Sequence, residues 1–341
     1  MELWSLRLLS RMLHAFDNLC IRKDGTVNRK WDKFLGTQVP ANPQAKCGVS
    51  TVDVIVDFEK DVWVRLFIPK KKSRKLYSLY KKSKPQAQKL FPIIFFYHGG
   101  GFVFLSPDSV CYDTFCRRLA RKCHALVISV HYRCRRAPEH KFPAAYDDCF
   151  AALEWLQSGQ ATQCLPRSID PRCIDLSRVF LCGDSAGGNI AHHVAVRASE
   201  TEISPLCIKG VMLLSPFFGG QERTPAEIRV RNVPMVSVKR LDWYWKSFLP
   251  HGANRDHPAC NIFGRNSPDL SDVSLPSVLI IIGGLDILQD WETRYADCLN
   301  RAGKDVKVFF YKNGIHSFGL FDQTHITKQM FFNIMGFIDN H

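Results

Sequence analysis

Apolar and polar positions along the chain fall into two periods. Short, nearly unbroken apolar runs cover residues 91–97, 125–131, 178–183, 207–214, 277–282 and 306–311. They are too short for helices and read as strands buried on both faces. Between them, the spacing of apolar residues predicts helices over 109–123, 144–156, 186–198, 291–302 and 327–338. Two earlier β-rich runs, 52–58 and 62–68, are separated by a short charged turn and predict a hairpin. Strand–helix alternation of this kind implies an α/β fold, a mostly parallel sheet covered by helices on both faces.

Two stretches depart from the alternation. At the start, Leu3, Leu6, Met12, Leu13 and Phe16 share one broad helical face, with Arg7 and Arg11 interrupting it. No uninterrupted apolar core or small-residue cleavage site is clear, so this reads as an amphipathic helix packed on the protein rather than a signal peptide. Residues 219–276 break the pattern late in the chain and read as an insertion over one end of the sheet. Within it, 241–248 is an aromatic-rich helical segment. The organisation expected is therefore an N-terminal lid segment, 1–45, and one domain, 46–341, carrying a basic loop at 70–84 and a cap-like insertion at 219–276.

Composition changes this picture little. The 341 residues are 46% apolar and 23% charged, which excludes disorder or low complexity for the bulk of the chain. No run reaches the roughly 18 apolar residues of a membrane span. Thirteen cysteines follow no C-x-x-C spacing, which removes the usual support for a close-paired zinc or redox site. They read as reduced thiols in an intracellular compartment. The net charge of +14 raises the question of a nucleic-acid partner. Eight basic residues with no acid lie within residues 70–84, between two predicted strands. The charge is thus largely local: a solvated loop or a nuclear-targeting patch on a cytoplasmic protein, with nucleic acid a poor fit.

The candidate chemistry lies where strands end. Gly183-Asp184-Ser185-Ala186-Gly187 joins a predicted strand to a predicted helix, the arrangement that lifts a serine out of a sheet. His98-Gly99-Gly100-Gly101 follows the strand 91–97, and glycines there allow backbone N–H groups to converge on one point. A serine needs a base, and the base an orienting acid. Asp286 follows the strand 277–282 and His316 follows the strand 306–311, on the same sheet edge as Ser185. Asp290 and His325 are competitors, though both fall at helix starts. His192 and His193 read as structural, and no H-E-x-x-H or other metal-ligand pattern occurs.

Taken together, these motifs resemble the hormone-sensitive-lipase branch of the α/β-hydrolases, and within it the plant carboxylesterases and the related gibberellin receptors. Supporting stretches begin at Tyr112, Ala137, Asp242 and Arg255, and the similarity runs from about Asp24 to the C-terminus. The resemblance implies a Ser185–Asp286–His316 triad and an oxyanion hole from the N–H groups of Gly100, Gly101 and Ala186. His98, Gly99 and Asp184 support the motifs. It further implies hydrolysis of a small-molecule carboxylic ester without cofactor or metal, under a lid of the N-terminal helix and the insertion, in which Trp243 and Trp245 line an apolar pocket, core packing being the other reading of the two tryptophans. Receptors of the group characteristically lack the triad histidine, carry Ser for the third loop glycine, and have an Asp-Arg pair ahead of D-W-Y-W. This chain has His316, Gly101 and Arg240-Leu241 there, which favours an esterase; receptor-like binding remains the alternative. One departure is Tyr132-Arg-Cys-Arg-Arg-Ala-Pro, two residues longer than the family pattern.

Overall fold

A computed structural model describes residues 19–31, 37–70, 90–133, 137–161, 171–230, 235–321 and 324–341. Most of the N-terminal amphipathic helix, the basic loop and the longer segment at 134–136 lie outside these residues. Eight strands form one sheet in the order β1-β2-β4-β3-β5-β6-β7-β8. β1 (Val49–Asp57) and β2 (Val62–Pro69) are the predicted hairpin, antiparallel, and β2 also runs antiparallel to β4 (Leu126–His131). β3 (Phe91–Tyr97), β5 (Ile174–Asp184), β6 (Ile208–Leu214), β7 (Ser277–Gly283) and β8 (Val306–Tyr311) run parallel to one another, and β4 joins them through β3.

The two-residue period of the strands divides the core. Ile93, Phe95 and Tyr97 of β3 enter one apolar cluster, and Ile94 and Phe96 the other. The first face is covered by α2 (Ala144–Gln157), α3 (Ala186–Ser199) and α6 (Gln289–Arg301), the second by α1 (Val110–Cys123) and α7 (His325–Asp339). Both faces are therefore apolar, which is why the strands read as runs rather than alternations. Between β6 and β7 lie α4 (Pro225–Arg229) and α5 (Val238–Phe248). The periodicity does not reveal α4, because five residues span little more than one turn. Its capping box is legible, however: the Thr224 side chain accepts from Glu227 N–H while Glu227 reaches back to Thr224 N–H.

Boundaries differ from the expectations by a few residues. β5 begins at Ile174 instead of 178, because its first residues are only half-buried and carry polar side chains. α7 begins at His325, with Thr324 as its cap, instead of 327. The described cysteines are all free thiols, several of them buried in the core. No helix among the described residues is long and apolar enough to cross a membrane.

Candidate active site

The site is assembled by loops at the C-terminal ends of four parallel strands. Tyr97 of β3 pairs with Gly183 of β5, so the glycine loop His98–Gly101 leaves the sheet beside Asp184 and Ser185. Gly283 of β7 pairs with Tyr311 of β8, so the Asp286 and His316 loops leave it side by side. Parallel register alone brings the four segments to one edge.

Ser185 sits between β5 and α3 with φ 56° and ψ −119°, a conformation that costs an L-residue about 1–3 kcal/mol. The neighbouring glycines explain how the turn fits. A Cβ on Gly183 would stand 2.0 Å from the Gly187 carbonyl oxygen, and one on Gly187 would stand 1.9 Å from that of Tyr97. Both are impossible contacts with backbone, so glycine at these two positions is a steric requirement of the turn. Hydrogen bonds hold the strained residue: Ser185 N–H donates to Leu214 C=O at 2.9 Å, and Ser185 C=O accepts from Gly188 and Phe217 N–H.

The three expected side chains meet. His316 Nε2 lies 2.8 Å from Ser185 Oγ, and His316 Nδ1 lies 2.6 Å from Asp286 Oδ2. Asp286 is wholly buried, and its Oδ1 accepts from Leu288 N–H at 2.9 Å, which fixes the carboxylate plane. Burial disfavours a charged His316 ring, but the field and hydrogen bond of Asp286, helped by Asp184, outweigh it. The ring's pKa is raised above its ordinary value.

The competitors lie elsewhere. Asp290 stands in the first turn of α6, where its Oδ2 accepts from Ala226 N–H at 2.7 Å and so anchors α4. His325 is exposed at the start of α7. His192 is buried, with Nδ1 2.9 Å from Tyr295 Oη.

The glycine loop is shaped from both sides. Gly100 and Gly101 have φ of 105° and 62°, and Ala186 is the first residue of α3, at the positive end of that helix. The His98 ring stacks on Tyr132 at 4.4 Å, Tyr132 Oη donates to His98 C=O, and His98 Nδ1 lies 2.8 Å from Gly99 C=O. His98 thus shapes the loop. Tyr244 of α5 packs so closely on Gly101 that a Cβ there would meet its ring at 2.3 Å.

One network escaped the sequence reading. Gly99 N–H donates to Tyr112 Oη at 2.7 Å, Tyr112 Oη donates to Asp184 Oδ2 at 2.8 Å, and Ser317 Oγ donates to the same oxygen at 2.9 Å. Asp184 therefore ties the glycine loop, the serine turn and the histidine loop together. Burial lifts its carboxyl above the usual range, against the opposing pull of His316 and these hydrogen bonds. Tyr112 opens one of the stretches that carry the resemblance, but nothing there pointed to a hydrogen bond with Asp184; for Ser317 the signal was its place beside His316. Behind them, Glu292 of α6 is fully buried, and burial followed by the Asp286 and Asp184 charges pushes its carboxyl well up.

The expected pocket tryptophans separate. Trp245 is core, packed on Phe217 and Phe102, because its helix turns that face inward. Trp243 is half-buried; its Nε1 donates to Gly25 C=O, and it lines a groove of about 1270 Å³ with residues 22–26, Arg240 and Arg255. Ser185, Asp286 and His316 do not line that groove. Arg29 holds the same N-terminal stretch to the site, donating to Val103 C=O and Ala137 C=O and pairing with Glu139 at 3.1 Å.

A serine on a strand–turn–helix, with acid and histidine on later strand ends of an eight-stranded sheet, defines the architecture of an α/β hydrolase. The chain belongs to that family, in the branch that contains plant carboxylesterases and gibberellin receptors: the model of the alpha/beta hydrolase fold matches residues 94–320. A gibberellin receptor of Arabidopsis thaliana is 41% identical, over 97% of this chain and 92% of the receptor. Carboxylesterase 20 of the same plant is 34% identical, over 95% and 96%. A 3-O-acetylpapaveroxine carboxylesterase of Papaver somniferum is 33% identical, over 83% and 88%. Among solved structures, a hyperthermophilic esterase of the archaeon Pyrobaculum calidifontis superposes with TM-score 0.67 at 24% identity, covering 99% of this chain and 92% of the esterase, a likeness of fold.

Proposed function

We propose that the protein is a serine carboxylesterase acting on a small-molecule carboxylic ester. The observation that carries this reading is the unbroken relay Asp286–His316–Ser185, with both contacts in hydrogen-bond range. His316 takes the Ser185 proton through Nε2 as Oγ attacks the ester carbonyl. Asp286 keeps the other ring proton on Nδ1 and stabilises the imidazolium that forms. The N–H groups of Gly100, Gly101 and Ala186 receive the oxyanion, each donor lowering the barrier by about 3 kcal/mol. His316 then protonates the departing alcohol, and a water activated by the same ring releases the acyl group. No cofactor or metal enters these steps. We place the protein in the cytoplasm, with the basic loop at 70–84 as a possible nuclear address.

A second reading has a specific observation behind it. Four gibberellin receptors are 39–41% identical to this chain, and four carboxylesterases 31–34%. A receptor-like protein would bind a small molecule and hydrolyse nothing. A screen of aryl esters of increasing acyl length, run beside Ser185→Ala, distinguishes the two. Turnover that depends on Ser185 supports the esterase; a folded protein with no turnover on any ester supports the receptor.

A further inference from the structure

A second cavity lies away from the triad. It has a volume of about 410 Å³, within the range of small-ligand pockets, and forms where α1, the first turns of α7 and the turn at Lys46–Cys47 meet. None of the triad or oxyanion residues lines it. Six cations do: Lys46, Arg117, Arg118, Arg121, Lys122 and Lys328. Among the described residues its single lining carboxylate, Asp113, is already engaged, by Arg117 at 2.7 Å and by Arg65 at 3.3 Å.

The cations divide into two groups. Arg117 and Arg118 are buried and form fixed wall. Arg117 donates to Val49 C=O and Thr51 Oγ1, and Arg118 donates to the carbonyls of Gly319 and Leu320. Lys46, Arg121, Lys122 and Lys328 are exposed, and among the described residues no carboxylate lies within ion-pair distance of them. Four like charges from three elements, held around one concavity, repel one another unless an anion sits between them. Thr327 and Lys328 bring the first turns of α7 to the cavity, where the positive end of a helix adds to the field.

We propose that this cavity binds a small molecule through one or more phosphate groups. A phosphate offers several oxygens and more than one negative charge, which matches several donors converging from different sides. Arg121 and Lys122 on α1 hold one side of the anion, and Lys46 and Lys328 hold the other. The cavity is concave and small, so the phosphate comes on a free molecule rather than on a membrane surface.

Calorimetric titration of the full chain with pyrophosphate tests the site, with vesicles of phosphatidylcholine containing phosphatidic acid as the second arm. Wild type binds pyrophosphate, and binding weakens as salt is raised. Arg121→Gln with Lys122→Gln reduces the affinity at least about tenfold, as expected for lost charge-assisted hydrogen bonds. Lys46→Gln with Lys328→Gln does the same from the opposite wall, so the test survives if either pair folds poorly. Removing residues 70–84 leaves binding unchanged. The proposal is overturned if wild type does not bind pyrophosphate, if both variant pairs bind it as wild type does, if binding follows the 70–84 deletion, or if only the vesicles bind.

Discussion

The turn around Ser185 and the segment between β6 and β7 face the same site but are built differently. The turn is over-determined by backbone. Gly183 and Gly187 have no space for a Cβ, and Ser185 is held at positive φ by bonds to Leu214, Gly188 and Phe217. The inserted segment is determined by side chains: Tyr244 on Gly101, Trp245 in an aromatic cluster, Asp290 clamping α4. The difference teaches where change is tolerated. A turn that rests on main-chain contacts admits almost no substitution, whereas a wall of side chains can be repacked without disturbing the turn.

That contrast sets an order of expected effects. Ser185→Ala sits at the top: ester turnover falls by about 10⁴-fold or more while the melting temperature barely moves, read by steady-state kinetics and thermal unfolding. Gly187→Ala comes next and acts oppositely, because its Cβ collides with backbone; it costs roughly 3 kcal/mol or more of stability, seen as a large loss of melting temperature or of soluble protein. If that variant melts like wild type, the turn is not over-determined and the comparison fails. Tyr112→Phe removes the link between Gly99 and Asp184; it leaves Gly99 N–H unpaired and Asp184 Oδ2 with Ser317 alone, at a cost of about 1–3 kcal/mol. A lowered kcat with little change in KM would identify Tyr112 as positioning the loop. Tyr244→Leu, on the side-chain wall, has the smallest effect on chemistry: KM shifts several-fold while kcat on a short ester stays within about threefold.

pH separates the two regions as well. In the proposed mechanism catalysis needs a neutral His316, so activity is expected to fall as pH drops through the pKa of the folded ring. Because Asp286 raises that pKa, the acid limb of kcat/KM lies above the ordinary histidine value of about 6.5. Asp286→Asn removes the cause and moves the limb downward as the rate falls, whereas Tyr244→Leu leaves it in place.

Much of this was legible in the sequence, for a physical reason. Strands buried on both faces give unbroken apolar runs, so β3, β5, β6 and β7 stood out; β8 showed through its aromatic run although it lies half-exposed at the sheet edge, and the residues just after these strands carried the serine, acid and histidine. The competitors Asp290 and His325 fell at helix starts, and there the structure has them. The Gly99–Tyr112–Asp184–Ser317 network was not legible, because it joins residues from four segments through single hydrogen bonds that leave no periodicity. The fate of the tryptophans was equally hidden: Trp243 and Trp245 are two residues apart on one helix, and only packing shows that one faces the groove and the other the core. The net charge of +14 first raised nucleic acid as a partner and then resolved largely to the loop at 70–84; the fold adds a second location, the cavity between α1 and α7.

The most direct test of the central claim is mass spectrometry of the protein quenched during turnover of p-nitrophenyl acetate. An acyl group on the Ser185 peptide, formed in an initial burst, absent from Ser185→Ala and reduced in His316→Ala, is the predicted result. Ester hydrolysis that persists undiminished in Ser185→Ala, or a folded wild-type protein that never acquires the adduct, would contradict it.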